Sequence, residues 1–126
     1  MDDRELLQRA NEARERSYSP YSNFAVGAAL LCADGTVVTG CNIENAAYGP
    51  SVCAERVAIF KAISEGKRDF IKLAVTCDHP DYCSPCGVCR QVMFEHAPDM
   101  EVLMGNPNGE FVRTTVRELL PKGFSF

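Results

Sequence analysis

Positive charge is in short supply in this chain. Thirteen Lys and Arg stand against 17 Asp and Glu, a net charge of −4. Binding a phosphate backbone needs a basic face, so no nucleic-acid partner is expected. Long apolar runs are missing too: no segment approaches the ~20 apolar residues that span a bilayer, so no membrane partner is expected either. Met1-Asp2-Asp3-Arg4-Glu5 is charged with no apolar run behind it, so no secretory signal peptide is expected here. There is no repeat and no low-complexity tract. A length of 126 residues suffices for one cored domain spanning 1–126 and is too short for two. Histidine is scarce: His79 and His96 are the only two, and neither has ligand spacing, so a metal site here draws on cysteine. Seven cysteines are an odd number without a secretion signal, which argues against a disulfide framework and for the reduced cytoplasm.

What is present reads as alternating helices and strands. Asp2 or Asp3 can cap a first helix with Leu6, Leu7, Ala10 and Ala13 on one face, stopped by Ser19-Pro20-Tyr21-Ser22. Phe24 to Cys32 reads as a central strand, turned by Ala33-Asp34-Gly35 into Val37 to Ile43. A small-residue loop leads to a helix from about Cys53 to Glu65, ended by Gly66, whose broad apolar arc suggests cover on more than one side. Phe70 to Cys77 is a third strand, and Pro85 opens a third helix running to about His96. Val102 to Met104 and Phe111 to Val116 pair antiparallel across Asn108-Gly109, and Arg117 to Leu120 adds a helical turn. Helices between strands predict a three-layer α/β/α domain on a mixed five-stranded sheet.

Chemistry concentrates in Cys53-Ala54-Glu55 and Pro85-Cys86-Gly87-Val88-Cys89. Three thiols can hold one Zn²⁺ per chain and leave its fourth position open to water. Glu55, two residues past Cys53, can handle that water's protons; together these are the parts of a hydrolytic site. Both clusters fall at predicted helix N-termini, where the dipole and free N–H groups favour thiolates. Cys86 and Cys89 stand at i, i+3, a spacing that faces one metal. Cys83-x-x-Cys86-x-x-Cys89 also begins an iron–sulfur run, but no fourth cysteine follows Cys89. Cys83 is read as a loop thiol pointing elsewhere, and Cys32, Cys41 and Cys77 as small buried hydrophobes. Three thiolates outweigh Zn²⁺ by one charge; Arg56 can offset it by donating to ligand sulfurs, and Arg90 is a second candidate.

Beyond these clusters the chain resembles the small homotetrameric cytidine deaminases over nearly its whole length. The matching pieces are Tyr18-x-Pro20-Tyr21-Ser22-x-Phe24-x-Val26-Gly27-Ala28 and Gly40-Cys41-Asn42-Ile43-Glu44-Asn45-Ala46-Ala47-Tyr48. They continue with Cys53-Ala54-Glu55-Arg56, Ser84-Pro85-Cys86-Gly87-x-Cys89-Arg90-Gln91 and Glu118-Leu119-Leu120-Pro121. The resemblance implies zinc on Cys53, Cys86 and Cys89 and proton transfer by Glu55. It implies stacking of the base on Phe24 and ribose hydroxyls on Asn42 and Glu44. It further implies a homotetramer with shared active sites, in which Phe124 and Tyr48 cross to a neighbour. The apolar tail Gly123-Phe124-Ser125-Phe126 agrees with such an interface, though Phe126 matches no family position. The implied reaction is hydrolytic deamination of a free nucleoside, cytidine or deoxycytidine. Two alternatives stay open: an aminonucleoside-antibiotic deaminase of the same superfamily, against which Asn42-Ile43-Glu44-Asn45 and Phe24 speak, and a non-catalytic zinc or iron–sulfur protein, against which Glu55 speaks.

Overall fold

The Asp2 carboxylate accepts the Glu5 N–H at 2.9 Å and so starts α1 (Asp3–Arg14). The computed structural model describes residues 1–126. Leu6, Leu7, Ala10 and Ala13 form the buried stripe of α1, as their spacing predicts. β1 (Val26–Cys32) and β2 (Val37–Cys41) then pair antiparallel around Asp34-Gly35. Gly35 takes a left-handed φ of +88°, and the Asp34 carboxylate accepts the Thr36 N–H at 2.9 Å. There follow α2 (Ala54–Ser64), β3 (Phe70–Cys77), α3 (Gly87–His96), β4 (Glu101–Gly105), β5 (Phe111–Thr115) and the single turn α4 (Val116–Leu119).

The strands form one mixed sheet in the order β2-β1-β3-β4-β5. Only β3 and β4 run parallel, joined by the crossover through α3; the other neighbours are antiparallel. Side-chain alternation sends successive strand residues to opposite faces. Ala29, Ala74 and Leu103 meet Leu6, Leu7 and Ala10 of α1 on one face. Ala28, Leu30, Leu73, Val75 and Val102 meet Ala54, Ala58, Ile59, Ala62 and Met93 of α2 and α3 on the other. The expected three-layer α/β/α arrangement on five mixed strands is therefore found.

Two glycines set how closely the helices approach. A Cβ on Gly40 would lie 2.6 Å from the Ala54 carbonyl oxygen and 2.7 Å from the Ala58 nitrogen, so only glycine lets α2 rest against β2. Gly27 does the same for α1, where a Cβ would run into the Ala10 carbonyl oxygen and the Arg14 backbone.

Several element ends differ from the pattern read in the sequence. β1 starts at Val26, not Phe24, and β2 stops at Cys41, because Ile43 pairs only as an isolated bridge with Tyr18 and Val52. Cys41 is half-buried, as befits an edge strand. Pro85 lies outside α3. Cys86 is the N-cap, its sulfur receiving the Cys89 N–H at 3.5 Å, so the proline shapes the approach to the helix and not its first turn.

Register places the site. Gly27 faces Cys41 and Val26 faces Cys77, so the start of β1 and the ends of β2 and β3 share one edge of the sheet. Phe24 enters there, Asn42 and Glu44 leave there, and the 78–86 segment departs from the same edge. Such an edge, with parallel strands ending on it, is where open α/β sheets bind ligands.

Candidate metal centre and active site

Two helix starts converge at this edge. Ile43 and Val52 exchange backbone hydrogen bonds at 2.9 and 3.0 Å, folding the 44–51 loop back and delivering Cys53 as the N-cap of α2. The 78–86 segment is tied to the end of β4 by the Cys83 N–H to the Gly105 carbonyl at 2.9 Å, and it delivers Cys86 as the N-cap of α3. Cys89 follows three residues on and is fully buried. The Cys53 and Cys86 sulfurs stand 3.7 Å apart, and all three sulfurs lie within 4.8 Å of one another. Sulfurs about 2.3 Å from a tetrahedral zinc are separated by about 3.8 Å, so the spacing and the all-thiol donor set fit that ion. Cys53, Cys86 and Cys89 thus form a group able to hold a metal.

The electrostatics are uneven. Cys53 is pulled down to about 5, first by the hydrogen bond from the Cys89 thiol and then by Arg56, whose Nη2 donates to the Cys53 sulfur at 3.4 Å. Cys89 is pushed far up for the complementary reason, as the donor of that same bond, with burial adding to it. Arg56 thus favours the thiolate form of Cys53 and supplies a cation beside the cluster. Glu55, the second residue of α2, is only 3% exposed, and burial pushes its carboxyl up from 4.5 to about 7. A cavity of about 390 Å³ opens over Glu55, Cys53 and Cys86, with Phe24, Asn42 and Glu44 also in its wall.

A family model described as the cytidine and deoxycytidylate deaminase zinc-binding region matches residues 1–105. The chain belongs to that family. It is 53% identical over 126 residues to the cytidine deaminase of Halalkalibacterium halodurans, covering 99% of this chain and 96% of the relative. The blasticidin-S deaminase of Bacillus cereus is more distant, 36% identical over 128 residues that cover 94% of this chain and 89% of the relative. Among solved structures, a cytidine deaminase from Burkholderia pseudomallei superposes with a TM-score of 0.95 at 46% identity, covering 98% of this chain and all of that one.

Within this family fold the remaining residues singled out in the sequence part company. Glu44 is held by the backbone N–H groups of Tyr21 and Ser22, at 3.0 and 3.1 Å, and by the Ser22 hydroxyl, which pulls its carboxyl below the ordinary range. Asn42, though largely buried, is part of the cavity wall. Tyr48 and Phe124 do not reach that wall: they are 75% and 62% exposed, Tyr48 in a left-handed backbone conformation and Phe124 packed edge-on to Phe126. Arg90 corrects one expectation. Its guanidinium donates to the Pro85 and Leu119 carbonyls at 2.8 and 2.9 Å and to the Ser84 hydroxyl at 2.7 Å, and to no sulfur. It buckles the Cys86 turn to the end of α4, whereas Arg56 alone faces the thiols. Cys83 is a second correction. It does lie in a loop, but it is buried beside Cys77 and forms part of the cavity wall, and burial pushes its thiol up. Val26, Ser51, Val52 and Ser84 also line the cavity. Nothing in their residue types marks them, and only the convergence of three loops does.

Proposed function

We propose that this chain is a hydrolytic deaminase of free cytidine and deoxycytidine, giving uridine and deoxyuridine plus ammonia, with one zinc ion per chain. The observation that carries the reading is a buried carboxyl, Glu55, at the floor of a cavity beside three clustered thiols. Zinc held by Cys53, Cys86 and Cys89 would acidify a water and present it for attack. Glu55, buried at the cavity floor beside the thiols, is placed to exchange protons with water and base. Glu55 would take one proton from the attacking water and deliver it to N3 of cytosine as oxygen bonds to C4. It then passes the second proton to the amino nitrogen, and the C4–N bond breaks to release ammonia. Phe24 stacks on the base, while Asn42 and Glu44 take the sugar hydroxyls. Arg56 offsets the excess thiolate charge, supported by its donor contact to Cys53.

The residues 1–126 act together as one catalytic domain in this reading. Seven free cysteines suit a reducing cytoplasm, and no helix is long and apolar enough to cross a membrane. Tyr48 and Phe124, exposed and away from their own cavity, are assigned to a neighbour's site in a homotetramer.

An ultraviolet assay on the zinc-loaded protein with cytidine, deoxycytidine, cytosine and blasticidin S tests the activity. The two cytidine nucleosides should be turned over and the other two left. In Glu55→Gln, at least ~10²-fold of the turnover should vanish while zinc stays bound. Turnover of blasticidin S alone, or a near-normal Glu55→Gln enzyme, would overturn the assignment.

A further inference from the structure

The Asn42 amide is oriented beyond ambiguity by two backbone groups of opposite kind. Its Oδ1 accepts the Val26 N–H at 2.9 Å and its Nδ2 donates to the Phe24 carbonyl at 2.7 Å. A flipped amide would set donor against donor and acceptor against acceptor, both at a side chain only 9% exposed. The second lone pair of Oδ1 is taken by the hydroxyl of Ser17, in the segment just after α1. Asn42 therefore has no acceptor left for the cavity and a single uncommitted N–H. Glu44, in the same cavity wall, is the reverse: its carboxylate, held by Tyr21 and Ser22, offers acceptors only.

We propose that Ser17 is a positioning residue: it closes the last acceptor of Asn42, leaving a donor-only amide beside an acceptor-only carboxylate, a pair that selects a sugar hydroxyl. A hydroxyl accepts and donates at once, so it satisfies both partners. A group that only accepts leaves the remaining Glu44 acceptor unmet, and a group that only donates leaves the Asn42 N–H unmet. Ser17 itself stands outside the cavity wall, and its hydroxyl is further placed by Ser19 at 3.1 Å. This inference rests on the nucleoside reading above.

The test compares Ser17→Ala with the parent enzyme on cytidine and on 2′,3′-dideoxycytidine, which keeps the base and the 5′-hydroxyl and lacks the 2′- and 3′-hydroxyls. Loss of one hydrogen bond of about 1 kcal/mol corresponds to about a fivefold rise in KM for cytidine. The kcat should stay within about twofold, and kcat/KM for the dideoxy compound should be the same in both enzymes. Ser17→Thr, which keeps the hydroxyl, should restore the parent KM. Should Ser17→Ala fail to fold, Ser17→Cys, a poor donor of similar size, makes the same comparison. An equal loss on both substrates would mean that Ser17 merely supports the fold, and no change on cytidine would remove its role altogether; either result overturns the proposal. A parent enzyme inactive on every cytidine nucleoside would instead bring down the underlying reading, and this inference with it.

Discussion

Replacing Glu55 by Gln in the metal-free, reduced protein should make the fold more stable above neutral pH and no more stable in acid. The carboxyl is buried, and that burial lifts it from 4.5 to about 7. Below about 4.5 the carboxyl is protonated both folded and unfolded, so the parent loses nothing there. As pH rises from 4.5 to about 7 the unfolded chain releases the proton while the folded chain keeps it, so parent stability falls across that window. At about 1.4 kcal/mol per pKa unit, the total is on the order of 3 kcal/mol, fully expressed above pH 7. Gln fills the same space without the charge. Its advantage should therefore open through that window and level off, at about 10 °C in Tm for a chain of this length. Thermal melts of both proteins in chelator and reductant, from pH 4.5 to 8.5, measure it. Adding zinc should shrink the gap, since a dication beside the carboxylate favours the ionised form. A gap that ignores pH, or a Gln variant less stable than the parent at pH 8.5, would refute the burial argument.

Gly40→Ala should lower stability by roughly 2 kcal/mol and weaken zinc binding together, because the added Cβ meets the backbone of α2, which starts at Cys53; melts and a zinc-chelator competition read both. Arg56→Gln should reduce activity and move the pH–rate profile upward, and adding Cys53→His should recover part of the loss by removing one negative ligand. Two simply additive losses would count against the charge argument. Arg90→Gln removes three hydrogen bonds around the Cys86 turn, so zinc should leave faster to a chelator while the pH profile stays put, the opposite signature from Arg56. Deleting residues 124–126 should raise KM and lower kcat with zinc retained. Co-refolding those chains with Glu55→Gln chains should restore some activity through hybrid sites, and a fully active monomer in sedimentation would end the shared-site assignment.

Local chemistry was legible in the residues themselves. A cap at Asp2, a four-residue stripe on α1, a turn at Asp34-Gly35 and the i, i+3 pair Cys86 and Cys89 each depend on neighbours a few positions away, so spacing carries them. Short links also foretold which strands pair antiparallel. The tertiary structure decided what depends on distant chain meeting at one sheet edge. The sequence put Arg56 first and kept Arg90 as a second candidate beside Cys89; only the packing of α4 draws Arg90 to the Leu119 carbonyl and away from the sulfurs. Cys83 gave no sign of burial, because its neighbours Ser84 and Pro85 read as loop while β4 and Cys77 close over it. Glu55 was marked by its place two residues past Cys53, but its burial, and the raised proton affinity that burial brings, came only with the tertiary structure. Ser17 carried no signal at all, since its one decisive bond reaches across 25 residues to Asn42. Burial and cross-chain hydrogen bonding are properties of assembled surfaces, and no window of sequence contains them.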